Sequence, residues 1–146
     1  MMVFADSSGL YAHYDGDDQN HARATATWRA LLDADARVVT TSYVLIETAT
    51  LLQRRLGLRW VGLLQTQIRP LLDIIWVDDR LHDLAVAATL EANRRQVSVV
   101  DHLSLIIMRQ RGIEYALAFD KHFAEAGYGL PPLPDAPPLN GQVIPQ

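Results

Sequence analysis

Four carboxylates stand where the surrounding residues are apolar. Asp6 closes the run VFAD, Glu47 interrupts VLIETATLL, Asp101 lies inside SVVDHLSLII, and Asp120 closes ALAFD. An ionised carboxylate on an apolar surface needs a cation, a hydrogen-bonded partner or a proton. Neither Glu47 nor Asp101 has a Lys or Arg three or four residues away, so neither has an ion-pair partner along its own helix. Taken singly, each acid has a structural role. Asp6 and Asp120 suit the N-caps of helices that follow their strands, Ser98 and Asp101 are spaced as a capping box, and Glu47 suits a half-solvated helix edge. Taken together, four acids at one sheet edge form a set able to hold one or two divalent cations. Hard oxygen ligands favour Mg²⁺ or Mn²⁺ over zinc.

Other chemistries drop out. The chain has no cysteine, which excludes a disulfide framework, a thiolate metal site and a cysteine nucleophile. His13, His21, His82 and His122 show no i, i+4 pairing and read as surface or core residues, not as zinc ligands. The acidic loop Y-D-G-D-D-Q-N, with Asp15, Asp17 and Asp18, lacks the spacing and terminal Glu of a calcium loop and reads as a solvated turn. A net charge of −4 argues against an all-over electrostatic nucleic-acid binder, but it is compatible with a phosphate site that brings its own cations.

The elements that must position the acids follow from periodicity. At 146 residues, 49% hydrophobic and 21% charged, the chain has the profile of one soluble domain. Residues 1–130 carry the patterning. The tail from Pro131, residues 131–146, holds six of the seven prolines and reads as an extended segment that adds little to the core. No apolar run approaches the roughly 18 residues that span a bilayer. The opening MMVFADSSGL does not resemble a signal peptide, so a cytoplasmic protein without a membrane partner is expected.

Met1–Ala5, Arg37–Thr41, Ile74–Val77 and Tyr115–Phe119 read as buried strands. After a loop rich in Asp and Gly, Ala24, Trp28, Leu31 and Leu32 mark one helix face. Ser42 is placed to cap a helix over Tyr43–Leu56 that stops at Gly57, and Leu58–Arg69 forms another that ends at Pro70. Leu81, Leu84, Ala85, Ala88 and Ala92 stripe a further helix, and Ser98–Arg111 reads as the next. Strands alternating with helices predict an α/β fold with a central, mainly parallel sheet of about four to five strands flanked by helices. Ligands of such sheets bind beyond the carboxyl ends of the strands, where Asp6 and Asp120 fall.

The ordered set D-S-S-x-L at Asp6–Leu10, T-S-x-x-x-x-E at Thr41–Glu47, S-x-x-D at Ser98–Asp101 and F-D-x-x-F at Phe119–Phe123 resembles the PIN-domain ribonucleases. The short single-domain form resembles the VapC toxins of toxin–antitoxin pairs. The resemblance covers about residues 3–125 and implies a PIN-like fold. It implies that Asp6, Glu47, Asp101 and Asp120 line a Mg²⁺ or Mn²⁺ site that hydrolyses RNA phosphodiesters by in-line attack of activated water. On that likeness Asp6 and Asp101 are direct ligands. Glu47 and Asp120 complete the shell or orient the water, and Ser7, Ser8 and Ser98 hold the carboxylates in place. It also implies a VapB-type antitoxin partner and a homodimer.

The sequence departs from the family pattern at Ala118, where Thr or Ser is common, and at His102, where a small residue is common. The first puts the contribution of Asp120 in question, and His102 reads as a packing residue. These departures sustain one alternative, a PIN-fold binding module whose site no longer cleaves; another metal-dependent nuclease, acting on DNA, is a second. Arg54, Arg55, Arg59, Arg69, Arg94, Arg95, Arg109, Arg111 and Lys121 are candidates to rim the acids and hold a nucleic-acid backbone, or else ordinary surface charge. Trp60, Val61, Leu64 and Ile68 form a stripe that suits either the core or a partner's groove.

Overall fold

The computed structural model describes residues 1–132, so the proline-rich tail lies outside the described residues except for Pro131 and Pro132. The element order is β1 (Met2–Ala5), α1 (Ser7–Tyr14), α2 (His21–Asp33), β2 (Arg37–Thr41), α3 (Ser42–Arg55), α4 (Leu58–Leu63), β3 (Asp73–Ile75), α5 (Asp79–Ala92), α6 (Val99–Arg111), β4 (Tyr115–Leu117) and α7 (Lys121–Glu125). All strand pairings are parallel, in the order β3-β2-β1-β4. Phe4 stands opposite Val39 on one side and Ala116 on the other. This is the expected α/β sheet flanked by helices. None of the helices among the described residues is long and apolar enough to cross a membrane.

β1 is central because it is apolar throughout: Val3, Phe4 and Ala5 are fully buried. Around them pack Leu10, Trp28, Leu31, Val39, Val44, Leu52, Leu103, Ile107, Met108, Leu117 and Phe123. The Phe123 ring stacks on Phe4 at 6.4 Å between centroids, which ties short α7 to the central strand.

Several boundaries differ from the reading of the sequence, each for a local reason. α1 begins directly after β1 within what reads as loop, because Asp6 caps it. Thr41, not Ser42, caps α3: its Oγ1 accepts from the Val44 amide, while Ser42 Oγ accepts from the Val77 amide. That contact takes Val77 off the sheet, so β3 ends at Ile75. β4 ends at Leu117, two residues early, because the Phe119 amide donates to Ser8 Oγ and not to the ladder. The helix from Leu58 continues to Leu71, but as a π turn over Leu64–Ile68 and a 3₁₀ turn holding Pro70. Leu64 and Ile68 are buried and Trp60 packs edge-on to Tyr14, so this stripe is core. On α5 only Ala85 is buried; Leu84 is exposed, and the expected stripe covers little.

Gly9 occupies the open position of D-S-S-x-L for a steric reason. A Cβ built there would lie 2.2 Å from the Leu117 carbonyl oxygen, so α1 crosses β4 in backbone contact. Gly9→Ala is expected to cost about 1–3 kcal/mol by forcing α1 off the sheet, read as a lower urea midpoint at unchanged slope. Wild-type stability in that variant would show that the contact has slack.

Candidate functional site

Each acid is held by the start of a helix or by a hydroxyl. Asp6 caps α1: its Oδ2 accepts from the Ser8 amide at 3.1 Å and from Ser8 Oγ at 2.6 Å. Ser8 Oγ in turn accepts from the Phe119 amide at 3.0 Å, linking α1 to the end of β4. Glu47, half-buried on α3, accepts a short hydrogen bond from Ser7 Oγ. Asp101 is the third residue of a capping box on α6. Its Oδ2 accepts from the Ser98 amide, and Ser98 Oγ accepts from the Asp101 amide, both at 3.0 Å. Asp120 caps α7 by accepting from the His122 amide. The capping roles read from sequence therefore hold for three of the four acids, and they coexist with clustering.

All four acids line one cleft of about 380 Å³, together with Ser7, Ser8 and Ser98. The cleft lies past the carboxyl ends of β1 and β4, as parallel-sheet topology requires. Its other walls include Arg55, one of the nine candidate cations, and Tyr11, Asp18 and Asn20, to which the sequence assigns no place there. Asp18 belongs to the acidic loop that reads as a solvated turn, and the fold brings it to the cleft wall. Arg55 was one of nine scattered cations, and its guanidinium sits 5.1 Å from the Tyr11 ring centre. His102 packs at another cavity, with its Nε2 buried and unpaired. His122 is 7% exposed, with Nε2 hydrogen-bonded to the Gln96 carbonyl at 3.1 Å and 3.6 Å from Asp120 Oδ1. Asp101, Asp120 and His122 place one possible ligand atom each within 4.8 Å of one another. The only sequence cue for His122 was its spacing of two from Asp120.

The electrostatics of the cleft are unbalanced. Asp6 is 2% exposed, and its Oδ1 is buried without a hydrogen-bond partner. Burial pushes its pKa up to about 6; the Ser8 bonds oppose this, and the charges of Asp101 and Glu47 add to it. Glu47 is also raised, first by burial and then by Asp101 and Asp120, against the Ser7 hydrogen bond. Burying one carboxylate oxygen bare among three further acids is costly unless a cation comes to it. A divalent ion with hard oxygen preference fits this donor set: the acid oxygens are concentrated, one is unsatisfied, and among the described residues Arg55 is the only Lys or Arg lining the cleft.

Comparison with known proteins agrees with this geometry. The PIN domain family matches residues 3–128. The chain is 33% identical over 128 residues to the 23S rRNA-specific endonuclease VapC20 of Mycobacterium tuberculosis, covering 87% of this chain and 95% of that protein. The crystal structure of M. tuberculosis VapC20, described as a sarcin-ricin loop cleaving toxin, superposes with a TM-score of 0.75 at 32% identity, covering 86% of this chain and 95% of the other. FitAcB from Neisseria gonorrhoeae matches with a TM-score of 0.61 at 14% identity, over 90% and 98% of the two chains, and supports the fold alone. With the fold, the ordered motifs and this likeness in agreement, the chain belongs to the PIN-domain family, as a member of VapC type.

Proposed function

We propose that this protein is a divalent-metal-dependent endoribonuclease and the toxin of a toxin–antitoxin pair, with Asp6, Glu47, Asp101 and Asp120 as its metal-binding and catalytic acids. The observation that carries the reading is the buried Asp6 Oδ1, without a hydrogen-bond partner, on a residue that shares one cleft with three other acids. Asp6 and Asp101 are the direct ligands, Mg²⁺ or Mn²⁺ being the matching ion. Glu47 and Asp120 complete the set and hold the attacking water. Ser7 and Ser8 fix the carboxylates of Glu47 and Asp6 through their hydroxyls, and Ser98 holds Asp101 through its backbone amide. The ion supplies charge neutralisation and water activation when bound. The chain's own part is to gather the acids, keep bulk water from Asp6, and offer Arg55 to a backbone phosphate at the cleft wall.

The VapC20 likeness makes 23S ribosomal RNA the substrate to test first, and a VapB-type antitoxin the partner that would mask the cleft. A homodimer and a cytoplasmic location accompany this reading. The experiment is cleavage of intact ribosomes and of purified total RNA, with Mg²⁺ or Mn²⁺ and with EDTA. Discrete fragments that vanish in EDTA and return on adding the ion are expected, with ends mapped by primer extension. Cleavage unaffected by EDTA would overturn the metal assignment, and none under any condition would overturn the nuclease.

A further inference from the structure

Beside the acidic cleft lies a second cavity, of about 490 Å³, which Asp120 alone of the four acids lines. The two share Asn20, Phe119 and Asp120 as a common wall. Across this wall, Arg23 from α2 and Lys121 from α7 supply positive charge, while Phe119, Ala118 and Tyr128 supply apolar surface. Arg23 is half-buried, and its Nε is buried without a hydrogen-bond partner. No carboxylate among the described residues forms a salt bridge with Arg23 or Lys121. Burial lowers the Arg23 pKa from its usual value, and no neighbouring acid opposes the shift. The Asn20 side chain, at the N-cap of α2, makes no capping hydrogen bond there and is free to serve the shared wall. Ala118 bears on the same point. Its methyl, standing where the family often has a hydroxyl, adds to the apolar lining.

Two unpaired cations next to half-buried aromatic rings are the recognition elements of a single nucleotide. The cations suit a phosphate, and a ring face suits a base. The cavity lies within the size range of small-ligand sites. We propose that it is a nucleotide subsite: it takes one nucleotide of the RNA next to the scissile phosphate, its base against Phe119 and Tyr128 and its phosphate on Arg23 and Lys121. The subsite rests on the nuclease reading for its place in catalysis, but nucleotide capture does not require cleavage. Through the common wall, filling this cavity directs the adjoining phosphate towards Asp120 and the other acids. Base preference at one position beside the cut is then decided here, away from the reacting atoms.

Two measurements on the full-length protein test this. The first is titration with AMP, GMP, CMP and UMP in EDTA, followed by NMR. Saturable shifts at Arg23, Lys121 and Tyr128 are expected, with binding lost in Arg23→Met and weakened in Tyr128→Phe less than in Tyr128→Ala. The second is cleavage of RNA oligonucleotides randomised around one cut site. Arg23→Met should raise KM about tenfold and flatten base preference at one flanking position, with kcat and metal dependence close to wild type. Absence of saturable nucleotide binding by the folded wild type overturns the subsite, whatever the cleavage result. So do unchanged KM and base preference in Arg23→Met. Nucleotide binding at these residues in a protein that cleaves no RNA would overturn the nuclease and leave the binding site standing.

Discussion

Combined replacement of Asp6 and Asp101 by Asn is expected to remove metal-dependent RNA cleavage, a loss of roughly 10⁴-fold or more, while the protein stays folded. The size follows from withdrawing the ion's several kcal/mol of transition-state stabilisation, at ~1.4 kcal/mol per tenfold. The fold survives because Asn caps helices about as well as Asp, and its side-chain oxygen still accepts from the Ser8 amide on α1 and the Ser98 amide at α6. An unchanged circular dichroism spectrum beside lost cleavage separates chemistry from folding. Cleavage within tenfold of wild type would remove both acids from the mechanism.

The second large effect concerns stability. With the ion chelated, wild-type protein should lose stability as pH rises from about 4 to about 6. The sign follows from Asp6: its folded-state pKa, about 6, lies above the ordinary 3.8, so the folded state holds the proton more tightly through that window. Below it the group is protonated in both states and the penalty is absent. Above it the penalty is complete, on the order of 3 kcal/mol. Asp6→Asn removes the charge, so in EDTA at pH 7.5 it should melt several degrees above wild type, at about 2–4 °C per kcal/mol for a chain of this size. At pH 4 the two should nearly coincide. A gap that does not vary with pH would show that Asp6 bears no burial penalty. Saturating Mn²⁺ should narrow the gap by stabilising only the wild type. The same arithmetic weakens metal binding below pH 6, where a proton competes for Asp6.

How much of this was legible in the sequence depended on the range of the interaction. Four strands, their parallel arrangement and the four acids were readable because apolar runs and out-of-place carboxylates are local signals. The end of β4 was not. Nothing near Leu117 announces that Ser8, 111 residues away, takes the Phe119 amide. Thr41 and not Ser42 is the cap because neighbouring hydroxyls look alike until the Val77 amide, beyond the end of β3, claims one of them. Helix α1 was taken for loop even though its cap was read correctly, since its first residues, Ser-Ser-Gly, are poor helix formers held by packing on β4. At the site, Arg55 is the one of the nine candidate cations that lines the cleft, two turns along α3 from Glu47, whereas Asp18 and Asn20 carry no such signal because a turn brings them in. The apolar stripe on α5 misled in the other direction, for Leu84 is exposed and Ala85 alone of its members is buried. The domain boundary near residue 130 rests on composition, and nearly all of the tail lies outside the described residues.

Helices α1, α6 and α7 all begin at this cleft, and each fixes one acid with a backbone amide at its start. Rotamer freedom of Asp6, Asp101 and Asp120 is therefore surrendered when the helices form, before any ion arrives. For the ion proposed above, capture would cost little further ordering and release would liberate little disorder. Exchange of that ion would then be a matter of electrostatics and dehydration, with the three carboxylates already held in place.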